Sequence, residues 1–146
     1  MFRPNATVAA VIEREGRFLM VRETIEGRST LNQPAGHLED NESLVQAVVR
    51  EVREETAWTF EPRGIVGVYR WRHPCGAPTF LRFVFHGGVR DFDEDQALDP
   101  DIDATEWMDL STLEAHSADM RSPLVMQGLN DYRQGRRFPL DLLVDL

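Results

Sequence analysis

GHLEDNESLVQAVVREVREETAW, residues 36–58, places a glycine turn, a helix start and three closely spaced glutamates in one unit. Ser43 followed by Gln46 three residues on is a capping-box signature ahead of an apolar-periodic run, so a helix is expected to begin near Ser43. At about 100° per residue, Leu44, Val45, Val48, Val49 and Val52 share one arc, a face built to pack on a sheet. Glu51, Glu54 and Glu55 stand at i, i+3 and i+4 and share a second arc at its border, with the small Ala47 leaving room between them. Three clustered anions repel, and a hard divalent cation with oxygen ligands is the usual way to hold them together. Mg²⁺, or Mn²⁺, is therefore implied. The competing reading is a solvated Glu/Arg-rich face on which Arg50 and Glu54 form an ordinary i,i+4 surface pair. The carboxylates taken alone favour that competing reading.

Working toward the N-terminus, Thr24–Thr30 (TIEGRST) reads as a polar loop leading through Leu31, Asn32 and Gln33 into the turn Pro34-Ala35-Gly36. Ala6–Glu13 and Arg17–Glu23 are β-branched or apolar runs joined by Arg14-Glu15-Gly16, which predicts a hairpin. Toward the C-terminus, Pro62 and Gly64 are expected to break the chain, and Ile65–Arg72 and Thr79–His86 to form strands joined by HPCGAP. Their aromatic residues are read as core or sheet surface, except Trp71. It lies between Arg70 and Arg72 near a strand end and is a candidate for stacking on a substrate ring.

The run Asp91–Asp103, DFDEDQALDPDID, has two open readings. It is either a solvated acidic loop or the source of a further carboxylate such as Asp101 for the cation. Ser111 with Glu114 predicts a short capped helix, and Ser122-Pro123 predicts another that ends at Gly135. The tail FPLDLLVDL, 138–146, is apolar enough to pack on the body. The four histidines show no metal spacing; His37, directly after Gly36, is singled out as able to face a phosphate.

A chain of 146 residues suits one domain, 1–146, with a full core. A single cysteine, Cys75, precludes an internal disulfide, and no apolar run suits a membrane span or a signal-peptide core, so a cytoplasmic protein is expected. The net charge of −9 disfavours sequence-independent binding to nucleic acid, which needs a basic surface. It does not disfavour a small phosphorylated substrate, because a bound cation inverts the charge around a carboxylate cluster.

Gly36, Glu42, Arg50, Glu51, Val52, Glu54 and Glu55 match in register the Nudix box, G-x5-E-x7-R-E-U-x-E-E-x-G-U with U apolar. The one departure is Ala57 where the pattern ends its helix with glycine, followed by Trp58 as the apolar position. Beyond the box, the chain resembles the NudJ phosphatase subfamily of the Nudix hydrolases over nearly its whole length. The resemblance rests on Asn32–Glu39 (NQPAGHLE), Phe80–Phe83 (FLRF), Glu23-Thr24-Ile25 and Arg121–Val125 (RSPLV). It implies an α/β fold, the Nudix α/β/α sandwich with a mixed sheet between helices. It also implies Mg²⁺-dependent removal of terminal phosphate from nucleoside tri- and diphosphates, and from the diphosphate of 4-amino-5-hydroxymethyl-2-methylpyrimidine or thiamine.

On this reading Glu54 and Glu55 are metal ligands, Glu51 is ligand or base, and Arg50 orients Glu51 or its neighbours, since a guanidinium is always charged. The family places a backbone carbonyl of the residue before the box glycine, here Ala35, on the cation. Asp101 is the loop carboxylate expected to join it, and His37, Trp71 and Arg82 are assigned to the substrate. A monomer acting on a small molecule is expected. The rival activities are cleavage of an internal diphosphate such as that of ADP-ribose and, since every box glutamate is present, less readily a non-catalytic ligand-binding module.

Overall fold

Strand β1 (Asn5–Arg14) is where the layers of the protein meet. Its run Val8-Ala9-Ala10-Val11-Ile12 is buried on both sides, which is why the sequence shows an unbroken apolar stretch rather than alternation. The computed structural model describes all residues, 1–146. β1 turns through Glu15 and Gly16 into β2 (Arg17–Ile25), and β3 (Arg28–Asn32) and β4 (Ala35–His37) follow. Helix α1 (Leu44–Thr56) comes next, then β5 (Thr59–Arg72), β6 (Thr79–Arg90), β7 (Ile102–Asp109), α2 (Leu110–Ala115) and α3 (Pro123–Arg133). The seven strands form one mixed sheet in the order β3-β2-β1-β6-β5, with β4 beside β1 and β7 beside β2. Only β1 and β6 run parallel; the other pairings are antiparallel.

Alternate residues of β1 feed two cores. Val8, Ala10 and Ile12 face α1 with Val48, Val52, Phe85 and Ile65, while Ala9 and Val11 join Val84, Leu113, Val125 and Leu129 under α2 and α3. This is the α/β/α sandwich expected from the sequence. No helix is long and apolar enough to cross a membrane.

The start of α1 is as expected. Ser43 accepts from Gln46 N at 3.0 Å while the Gln46 side chain accepts from Ser43 N at 2.8 Å. Such a cap contributes about 1 kcal/mol, whereas burying Val48 and Val52 completely contributes roughly 1.5–3 kcal/mol each. Packing on the sheet therefore holds the helix, and the cap fixes where it starts. At the other end Ala57 adopts the left-handed conformation, φ 64°, that glycine supplies in the box pattern. The strain of about 1 kcal/mol is offset by burial of the Ala57 methyl, only 1 % exposed, which contributes about 0.8 kcal/mol. Alanine is therefore tolerated there, and the helix ends where the pattern requires.

Three local expectations are corrected. Thr24–Thr30 is a hairpin and not a loop: Ile25 pairs with Arg28, and the turn consists of Glu26 and Gly27, both at positive φ. A two-residue turn of that kind matches the twist of its strands, which outweighs the polar composition. Pro62 and Gly64 do not break the chain, because β5 runs through both on the edge of the sheet, with bulges between Pro62 and Gly64 and between Ile65 and Gly67. An edge strand tolerates the missing N–H of proline. The cap of α2 is Asp109 and not Ser111: Asp109 accepts from Thr112 N at 2.9 Å, and the Ser111 hydroxyl donates to the same carboxylate. The later helix does start at Ser122-Pro123, with Gly135 at φ +90° just past its end. The tail packs as expected through Leu140 and Leu143 and through paired backbone bonds between Phe138 and Ile65.

Candidate active site

The carboxylates of α1 meet the sheet at β4. Glu51 and Glu55 are buried, and Glu54 is half exposed. Glu55 accepts a hydrogen bond from Ala35 N at 2.8 Å, which ties the helix to the strand before the box glycine. Gly36 is needed for space: a Cβ built on it would lie 2.0 Å from Cδ of Glu51. Its φ is not in the left-handed region, so contact with Glu51 alone explains the glycine. Gly36→Ala is accordingly expected to displace the Glu51 carboxylate. The stability cost should be small, because only the end of the Glu51 side chain has to move, while turnover should fall about a hundredfold from a misplaced group. Urea unfolding and a rate measurement on the same preparation check this, and an unchanged rate would refute the packing argument.

Arg50 organises the acidic face. It grips Glu42 with Nε and one terminal nitrogen, at 3.0 and 2.7 Å, and donates to the His37 carbonyl at 3.0 Å. Its other terminal nitrogen reaches Glu51 at 2.8 Å and Glu54 at 3.2 Å. Glu42 in turn accepts from Glu39 N, which closes the turn before the helix. The box arginine and the box glutamate ahead of the helix are therefore one rigid bracket, and a bidentate guanidinium–carboxylate pair of this kind is strong and directional.

As placed, no three acidic side chains share one point with metal-ligand spacing, because the Arg50 guanidinium lies between Glu51 and Glu54 and Glu55 turns to Ala35. The donor chemistry nevertheless fits a hard cation. Burial, with the charges of Glu23, Glu51 and Asp99, pushes the Glu55 carboxyl up to about 9. Burial likewise pushes Glu51 up, against the pull of Arg50. Arg50 supplies one positive charge to this group of buried and half-buried carboxylates, which is fewer than they carry when ionised together, and a divalent ion would supply the remainder.

The other expected site residues divide. Asp101 is exposed in its turn and is not among the charges acting on Glu51 or Glu55; Asp99 is, and its N–H donates to the Glu54 carbonyl at 2.8 Å. His37 is exposed and meets Arg50 only through its carbonyl. Arg82 is buried and not open to substrate. It donates to Gln33 Oε1 at 2.7 Å and Asn32 Oδ1 at 3.2 Å, while its Nε has no partner. Burial lowers its guanidinium to about 10, against the pull of Glu55 and Glu23. Trp71 lies apart from the carboxylates, stacked on Phe80 at 5.7 Å, and lines a groove of about 610 Å³ against α3.

Sequence reasoning did not single out Glu23 and Asp99, whose charges act on Glu55. Glu23 follows the apolar part of β2, accepts from Asn32 Nδ2 at 3.3 Å and lies 3.7 Å from Arg121. A carboxylate closing an apolar run was the signal available.

The sandwich and the buried carboxylate helix define a hydrolase of the kind that works on phosphoanhydrides. The family model of the NUDIX domain matches residues 1–127, and the chain belongs to the Nudix hydrolase family. It is 41% identical over 145 residues to phosphatase NudJ of Escherichia coli strain K12, covering 99% of this chain and 94% of that one. A Nudix hydrolase structure from Nitrosomonas europaea superposes with a TM-score of 0.96 at 46% identity, over 99% and 98% of the two chains. The NUDIX domain of Shewanella oneidensis NrtR, solved in complex with ADP ribose, shares the fold at 17% identity and a TM-score of 0.72, over 92% and 89% of the chains.

Proposed function

We propose that the protein is a Mg²⁺-dependent phosphatase that removes terminal orthophosphate from nucleoside tri- and diphosphates and from hydroxymethylpyrimidine diphosphate or thiamine diphosphate. The observation that carries the reading is the complete set Glu51, Glu54 and Glu55 on one helix face, braced by Arg50 and seated on Gly36. The identity to phosphatase NudJ supports the terminal-phosphate specificity.

Glu51, Glu54 and Glu55 hold Mg²⁺ with the Ala35 carbonyl. Of the loop carboxylates, Asp99 is better placed than Asp101 to join them. When bound, the ion neutralises charge on the phosphoryl oxygens and lowers the pKa of water. The chain's own residues do the rest. Glu51, whose carboxyl burial pushes up, is suited to take the proton of the attacking water on a carboxylate oxygen. Arg50 fixes that carboxylate at 2.8 Å and holds Glu54 on the same side. Arg82 is a positioning residue, fixing Asn32 and Gln33 ahead of the Pro34–Gly36 turn. A monomer in the cytoplasm, acting on small molecules, fits the acidic balance and the single cysteine.

The test is a product assay with Mg²⁺ in which GTP, GDP, thiamine diphosphate and ADP-ribose are offered separately and orthophosphate is resolved from pyrophosphate and nucleotides. Orthophosphate from the first three is the expected result. Cleavage of ADP-ribose alone would replace this reading by internal diphosphate hydrolysis, and turnover of none would replace it by a ligand-binding role.

A further inference from the structure

Basic residues are segregated in this acidic chain. Residues 62–90 include five arginines and no carboxylate, and residues 132–140 three arginines and none, although the protein has 25 acidic residues. The fold brings the two stretches together: Ile65 and Phe138 exchange backbone hydrogen bonds at 2.8 Å, which lays Arg136 and Arg137 beside the Arg63 end of β5. Gly64 permits this approach, since a Cβ there would lie 2.5 Å from His86 Nε2 and 2.8 Å from the Phe138 carbonyl oxygen. Arg63 does not reach out from the edge of the sheet; its terminal nitrogen lies over β6, 2.7 Å from where a Cβ on Gly88 would be. Arg137 stacks on the Tyr132 ring at 3.8 Å, and that ring lies 5.9 Å from His86. Arg63, His86 and Arg137 therefore surround one spot on the α3 side of the sheet, across from α1.

Nothing in the protein neutralises this spot. Arg63, Arg136 and Arg137 form no ion pair. Arg137 donates from one terminal nitrogen to the carbonyls of Tyr132 and Arg136, which leaves its Nε and other terminal nitrogen free. The nearby carboxylates are engaged elsewhere: Glu13 accepts from the Tyr132 hydroxyl at 3.2 Å, Asp131 accepts from Tyr69 at 2.7 Å, and Glu61 pairs with Arg90 at 3.4 Å. Burial holds the His86 imidazole below its ordinary value, and the charges of Arg137 and Arg63 press it the same way. Like charges held together repel, and an anion between them removes the repulsion. Arg70 and Arg72, farther along β5, need no ligand to explain them, because charged side chains keep other strands off an exposed edge. Arg63 and Arg137 instead converge on a third nitrogen group. Two guanidinium forks approaching from different sides, with an imidazole between them, suit the several oxygens of a phosphoryl group, where a carboxylate offers only two. We propose that Arg63, His86 and Arg137 form a second anion site, which binds diphosphate or the phosphate chain of a nucleotide on the face of the sheet opposite α1. The proposal does not depend on the phosphatase reading.

The four histidines let the protein report where an anion sits. Imidazole ring resonances of the full chain are followed by NMR at neutral pH in EDTA while inorganic diphosphate is added; EDTA removes any cation that would hold a phosphate at the carboxylates. The His86 signals are expected to move in a saturable way, while those of His37 beside Arg50 and of His73 beside Trp71 stay in place. Arg63→Gln and Arg137→Gln each remove one charged donor and are expected to raise the Kd about tenfold, with the fold intact because both side chains are exposed. ADP in place of diphosphate identifies the source, since a nucleotide site binds ADP at least as tightly and a site for the free anion binds it more weakly. Sodium chloride at matched ionic strength moving His86 equally, a first response at His37 or His73, or Kd values unchanged in both variants would overturn the assignment.

Discussion

Glu54→Gln is expected to lower the rate of orthophosphate release by about a thousandfold, within the range that removal of one general acid–base group or charge-stabilising group produces, while leaving the protein as stable as wild type in EDTA. Glu54 is the most accessible of the three box carboxylates, with 45% of its side chain exposed, and its carboxylate has one protein partner, Arg50 at 3.2 Å. An i,i+4 pair of this kind contributes roughly 0.3–0.5 kcal/mol, which moves the unfolding midpoint by about 1–2 °C. Glutamine keeps an acceptor for Arg50 and loses only the charge. Wild type should gain thermal stability on addition of Mg²⁺, by mass action on the folded state, and the variant should gain much less. Retention of the wild-type rate would remove Glu54 from the site. A matching loss of stability in EDTA would mean that its role is to hold the helix.

The helix and its carboxylates were legible because the information is local. The cap needs Ser43 and Gln46, the buried face needs a 3.6-residue period, and the acidic arc needs positions i, i+3 and i+4, all within one helix. What the helix meets was not legible, because it is set by register between distant segments. Ala35 reaches Glu55 across 20 residues, and Arg82 reaches Gln33 across 49. Arg82 was assigned to the substrate, yet it is buried on β6 and held by two amides. In the acidic loop Asp101 was the carboxylate expected near the cation, whereas it is the Asp99 N–H that bonds the end of α1, a contact that composition does not encode. The hairpin at Glu26-Gly27 was hidden for a different reason: its strands are polar because they sit near the sheet margin, and polarity had suggested a loop.

Glu55→Gln is expected to push stability and activity in opposite directions. Glu55 is 7 % exposed and has one hydrogen bond to protein, from Ala35 N. Burial, aided by the charges of Glu23, Glu51 and Asp99, raises its carboxyl from 4.5 to about 9. A carboxyl raised in the folded state binds its proton more tightly folded than unfolded, so stability falls as pH rises from the unfolded value toward the folded one. At pH 7 this amounts to roughly 3 kcal/mol at most. Glutamine carries no charge and keeps an oxygen for Ala35, but it introduces a buried amide nitrogen that costs about 1 kcal/mol if it finds no acceptor. The charge effect is the larger. In EDTA at pH 7 the variant should therefore be more stable by about 1–2 kcal/mol, a midpoint rise of about 3–6 °C, and the difference should close as pH falls toward 4.5. With Mg²⁺ the order should reverse, because wild type gains a ligand that the variant holds poorly, and turnover should fall about a thousandfold. Thermal unfolding at three pH values, with EDTA and with Mg²⁺, checks each arm. A variant less stable than wild type in EDTA at pH 8 would show that Glu55 serves the fold as a hydrogen-bond acceptor and is not a carboxyl buried at the fold's expense for the cation.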